Sequence, residues 1–148
     1  MARHPRWVRS FLGEDDLESL RRSIVEAEDT TSAEIRVHLD RRCPGDAMAR
    51  AVAVFERLGM HRVADRHGVL IYVAVTDRKL AVIGDAGIHE RVGEQYWKQL
   101  VGAVTAHFRD ERPRDGFLHA VSEVGQTLRR HFPRRPADDA DRGGLTLS

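Results

Sequence analysis

The residues able to do chemistry fall into two sets. One holds Thr31, Ser32, Glu34, Asp65, Arg66, Asp85 and His89; the other holds Asp40, Asp46 and Asp77. Hard divalent cations take carboxylate and carbonyl oxygens at loops, so Asp65, Asp85 and Glu34 have the ligand chemistry for Ca²⁺ or a similar ion. His89 would shift the preference toward a transition metal. Glu34, Asp65, Asp85 and His89 are therefore the candidate metal residues. A competing reading weighs against them. Asp85 stands just ahead of a helix, where the positive end of the dipole opposes a cation and an aspartate serves as a cap, and Arg66 is a ready ion-pair partner.

Other strings are weaker. Arg66-His67-Gly68 spells the tripeptide of histidine phosphatases, but it precedes an apolar strand where those enzymes place it after one, and we read it as coincidence. The chain has no Cys-x₅-Arg phosphate loop and no Walker glycine loop. Cys43, between Arg42 and Pro44, has no evident His–Asp partner and reads as an ordinary exposed thiol. With no gathered nucleophile, base and oxyanion donors, the residues favour a non-catalytic interaction module over an enzyme.

The elements that position these side chains centre on residues 66–87, RHGVLIYVAVTDRKLAVIGDAG. Val69–Val75 is apolar on both faces and reads as a central strand covered by helices on each side. Thr76–Lys79 is a turn, and Leu80–Ile83 the returning strand. An earlier strand, Ala33–Leu39, alternates: Ile35, Val37 and Leu39 face inward, while Glu34, Arg36 and His38 read as a wet face at a sheet margin. Gly13 caps a helix beginning near Glu14, with Leu12 and Leu17 as its hydrophobic staple and Leu17, Leu20, Ile24 and Ala27 as its stripe. Asp46 caps a helix over 47–58 with Met48, Val52, Phe55 and Leu58 on its stripe. Further helices are expected over 89–108 and from a cap at Asp115 to Phe132. Strand–helix–strand followed by a hairpin makes an α/β fold: an α/β/α sandwich with a small mixed sheet flanked by helices on both faces. The returning strand separates Asp77 from Asp85 by about 17–20 Å, so they belong to different ends of the sheet. The expected domain is residues 1–132, with 1–10 a loose arm and 133–148 a disordered polar tail.

The 148-residue chain is 41% hydrophobic and 32% charged, with a net charge of +1. That balance gives no electrostatic case for nucleic acid. One cysteine excludes an intrachain disulfide. No apolar run reaches the roughly 20 residues of a transmembrane segment, and MARHPRWVRSFL lacks the apolar core of a secretory signal, so the expected location is cytoplasmic. The expected partner is an unknown protein, and the expected state a monomer or a weak homodimer pairing through the strand at 33–39.

Several strings together resemble one family. Ala27-Glu28, then Thr31 through Val37, Gly68-Val69-Leu70-Ile71, Asp77-Arg78-Lys79 and Gly84 through Ile88, with Trp97 and His131-Phe132-Pro133, resemble the TPM domain family. That family is named after a thylakoid lumen protein, a photosystem II repair protein and a modulator of a worm receptor. The resemblance covers about residues 11–132 and implies an α/β/α sandwich. It also implies calcium binding, weak metal-dependent acid phosphatase activity on phosphomonoesters, or an accessory role in membrane-protein maintenance. The chain departs where the family commonly reads Gly-Leu-Glu and then an Asp one turn into the next helix: here stand Gly87-Ile88-His89 and Val92-Gly93-Glu94. The resemblance does not carry those two acidic positions over.

Overall fold

The computed structural model describes residues 4–60, 67–134 and 145–147. In chain order the elements are α1 (Arg6–Arg9), α2 (Glu14–Glu28), β1 (Glu34–Asp40), α3 (Ala47–Arg57), β2 (Gly68–Ala74), β3 (Lys79–Gly84), α4 (Ala86–Val92), α5 (Glu94–Arg109), α6 (Pro113–His131) and β4 (Leu145–Leu147). β2 is buried along its whole length, as a strand apolar on both faces must be. β1 lies parallel to it, Glu34 opposite Gly68 and Asp40 opposite Ala74. β3 returns antiparallel, with Val69 opposite Gly84. The strand order is β3-β2-β1-β4.

Strand alternation divides the core in two. Ile35, Val37, Leu39, Val69, Ile71, Val73 and Val82 pack under α2, α5 and α6. Leu70, Tyr72, Ala74 and Ala81 pack under α3, against Ala51, Val54 and Phe55. This is the α/β/α sandwich expected from the sequence. The local signals hold as well. Gly13 caps α2, and the Asp16 carboxylate accepts its N–H at 3.2 Å. Leu12 and Leu17 are both buried beneath that helix start. Asp46 caps α3, accepting the Ala49 N–H at 2.9 Å.

Five expectations change. β1 is not a sheet margin: β4 pairs on its outer side, Arg50 of α3 reaches over it, and His38 and Asp40 are only 1% and 3% exposed. Leu145–Leu147, expected in a disordered tail, form β4; three residues are too few for periodicity to register. Residues 135–144 of that expected tail lie outside the described residues. The helix expected over 89–108 is two helices, because Gly93 takes φ +81°, a left-handed angle that ends α4 and costs glycine little. The expected loose arm contains α1, which buries Val8 and packs Trp7 against the larger core. α6 begins at Pro113, two residues ahead of the expected cap, since proline's fixed φ suits a first turn.

Candidate functional site

At the end of the sheet where β1 and β2 begin, Asp85 caps α4. Its Oδ1 accepts the Ile88 N–H at 3.0 Å, and its Oδ2 accepts the Gly68 N–H at 2.8 Å. His67 Nδ1 lies 3.1 Å from Oδ1, with the imidazole tilted against Phe132. His89 Nδ1 accepts the Trp97 indole N–H at 3.0 Å, which puts any imidazole proton on Nε2. Glu34 pairs with Arg36 at 2.9 Å. Thr31 and Ser32 bond to the carbonyl of Phe132 and tie this end to α6. Asp65 and Arg66 lie outside the described residues. Among the described residues no three His, Cys, Asp or Glu side chains are grouped as a metal would require. Both Asp85 oxygens and His89 Nδ1 face protein donors, and Glu34 has one oxygen on Arg36.

The opposite end is more heavily bonded. Asp40 Oδ2 accepts the Tyr72 hydroxyl at 2.6 Å and Arg50 Nε–H at 2.8 Å. Asp40 Oδ1 lies 3.3 Å from His38 Nε2, and His38 Nδ1 lies 2.6 Å from Thr146 Oγ1. A carboxylate can only accept, so His38 carries its proton on Nε2 and receives the Thr146 hydroxyl at Nδ1. Burial lowers the His38 pKa, partly offset by the charge of Asp40. Burial also drives the Tyr72 phenol far above its ordinary range, with the Asp40 carboxylate adding to the shift. Tyr72 is therefore a neutral hydroxyl donor. Cys43 is not exposed: it is buried beside this cluster. Asp77, read as a simple turn residue, accepts the Cys43 N–H at 2.6 Å, and Lys79 donates to the carbonyls of Cys43 and Gly45 at 2.7 Å. These bonds clamp the loop at 41–46 onto the hairpin. Sequence spacing could not reveal them, since their partners lie more than thirty positions apart.

Between the two ends runs a groove of about 690 Å³ along β3, the outer strand on this side of the sheet. Leu80–Gly84 form its floor. Met48 at the start of α3 stands on one side, and Trp97, Lys98 and Val101 of α5 on the other, with His89 and Glu94 at one end. The lining is mostly apolar. Met48, expected on the apolar stripe of its helix, is instead 44% exposed at the groove rim, because the Ala51, Val54 and Phe55 face turns to the sheet. Gly84 is required here. A Cβ on it would come within 2.7 Å of the Trp97 ring, so only glycine lets that indole close the groove wall. The signal for the groove was present but faint: Leu80-Ala81-Val82-Ile83 is apolar on both faces, and such a strand at an edge calls for cover from both sides.

A family model for the TPM domain matches residues 9–127, most of the chain. The chain belongs to the TPM domain family. Protein BA42 from the psychrophilic bacterium Bizionia argentinensis, solved by NMR, is 32% identical to this TPM domain, with a TM-score of 0.83 over 93% of this chain and 96% of that one. The N-terminal domain of a protein from P. gingivalis shares 15% identity at a TM-score of 0.69, over 84% of this chain and 82% of that one. The N-terminal domain of a Corynebacterium glutamicum protein shares 12% at 0.63, over 100% of this chain and 93% of that one. At those two identities the likeness speaks for the fold alone. No match is found among curated proteins. No helix of this TPM domain, among the described residues, is long and apolar enough to cross a membrane.

Proposed function

We propose that this TPM domain is a non-catalytic interaction module that holds an extended segment of a protein partner in the groove along β3. The observation that carries the reading is an apolar groove floored by an outer strand. The free edge of such a strand offers N–H and C=O groups to an added strand, and flanking walls select alternate side chains. Leu80 and Val82 face the core under α5, while Ala81 and Ile83 face the one under α3. Side chains of an added strand would alternate in the same way, toward Trp97 and Val101 or toward Met48. A segment with apolar residues at alternate positions meets that requirement. The test is chemical-shift mapping of the labelled protein against a library of alternating apolar peptides. Binding should shift the β3 amides and be lost in Met48→Asp/Val101→Asp. Shifts confined to another face would overturn the assignment.

Divalent-cation binding and phosphomonoester hydrolysis draw their support from the family resemblance. A cation at Asp85 would have to displace two backbone N–H donors and His67 from the carboxylate. Calorimetry with Ca²⁺, Mg²⁺ and Zn²⁺ is the direct measurement. Under the interaction reading it gives no heat and no change in Tm; heat that Asp85→Ala abolishes would move the function to this end of the sheet.

A further inference from the structure

β4 is the shortest strand of the sheet and is not linked to β1 by a hairpin. It pairs in parallel, Leu145 opposite Val37, Thr146 opposite His38 and Leu147 opposite Leu39. Ten residues, 135–144, separate it from Arg134 in sequence. β1 runs from Glu34 to Asp40, so the paired stretch takes up three of its seven residues. Within that stretch the contacts are specific. Leu145 packs against the larger core, and Leu147 is 36% exposed. Between them Thr146 places its hydroxyl 2.6 Å from Nδ1 of the buried His38. His38 in turn rests on Asp40 and stacks on Tyr72, its ring held 11° from parallel. The outer edge of β1 thus has two means of recognition. It offers backbone groups to any strand, and at one position it sets a rigid imidazole acceptor that asks for a hydroxyl.

We propose that the outer edge of β1 is a strand-addition site for an extended segment of a protein partner carrying a serine or threonine between two apolar residues, and that β4 occupies this site in cis. The chain's own Leu-Thr-Leu segment, seated there, defines the chemistry of the occupant. Backbone pairing supplies affinity and the hydroxyl supplies selection. A three-residue strand at a sheet margin belongs to the least stable parts of a fold, which is what a displaceable occupant requires. A segment on a short linker has an effective concentration on the order of millimolar. A partner therefore competes for the positions opposite Val37, His38 and Leu39 themselves, since the next outward N–H of β1, that of Ile35, donates to the Glu28 carboxylate at 2.8 Å. This site is separate from the β3 groove, on the opposite edge of the sheet, and stands or falls independently of it.

The test uses the full chain with Leu145→Asp and Leu147→Asp, which keeps every residue of the domain but opposes docking of β4. The probe is a fluorescein-labelled peptide of residues 143–148, Gly-Gly-Leu-Thr-Leu-Ser. The variant should bind it at least tenfold more tightly than the unaltered protein, and valine in place of the peptide's threonine should weaken binding several-fold. Equal binding to both proteins, or none to a variant with unchanged circular dichroism, overturns the proposal. Should the variant fail to fold, the unaltered ¹⁵N-labelled protein is titrated with the unlabelled peptide. Displacement predicts shifts in Glu34–Asp40 together with coil-like shifts for 145–147, and their absence at several millimolar peptide overturns it. A concentration-dependent dimer that exchanges β4 between copies would replace the foreign partner with a second copy and overturn the assignment in that form.

Discussion

Asp40 and Asp85 sit at opposite ends of one sheet, and each gathers several partner groups among the described residues. Their partners differ in kind. Asp85 is held mainly by main-chain N–H groups, those of Ile88 and Gly68, with His67 at the side. Asp40 is held by side chains, those of Tyr72, Arg50 and His38, two of them almost completely buried. A carboxylate bonded to backbone fixes geometry, and its loss leaves N–H groups that water near the surface can reach. A carboxylate at the centre of buried side chains offsets the cost of burying their polar groups. The Asp85 end was the attractive one in the sequence because its acidic residues and glycines are conspicuous. The Asp40 end carries the larger electrostatic commitment.

Substitutions at the two ends should separate these roles. Asp40→Ala strips a buried cluster of a carboxylate that accepts from Tyr72 and Arg50 and should cost about 3–5 kcal/mol by urea denaturation, the scale of breaking a buried ion pair. Asp85→Ala removes a helix cap and should cost about 1–2 kcal/mol. An equal loss at both positions would erase the distinction. The pH dependence sharpens it further. The folded pKa of His38 is depressed, so the unfolded chain takes up the proton first. Its contribution is fully present above the ordinary value of 6.5 and is lost as the pH falls below that value and through the folded one. The Tm should therefore drop between pH 7 and 5, and His38→Gln should flatten the drop, as calorimetric scans would show. The smallest stability effect belongs to neither end. Met48→Asp, at the exposed groove rim, should stay within about 0.5 kcal/mol of the parent while abolishing peptide binding along β3.

Much of the frame was legible because it rests on local physics. A strand apolar on both faces had to be central, and β2 is. Asp46 and Asp85, and at Gly13 the first-turn acid Asp16, announced helix starts by side-chain chemistry that acts within a turn. What escaped depends on partners far away in sequence. Glu34, Arg36 and His38 alternate with apolar neighbours as a solvated face does, and β4, over a hundred positions later, helps to convert His38 into a buried residue together with Arg50 of α3. The partnership of Asp77 with Cys43 and the exposure of Met48 likewise arise from how loops and helices meet. Of the candidate metal set, the roles of Asp85 and His89 were half legible. The cap was expected; the acceptor bond from Trp97 to His89 was not, because it depends on the break at Gly93 that turns α4 back on α5.

That indole has an optical consequence. The chain has two tryptophans, Trp7 and Trp97. Trp97 forms part of the groove wall with its N–H fixed to His89. Tryptophan emission responds to the polarity and hydrogen bonding around the indole, so a segment lying along β3 will change the colour and yield of this one. With Trp7→Phe removing the background, Trp97 becomes an intrinsic reporter of groove occupancy that needs no attached dye.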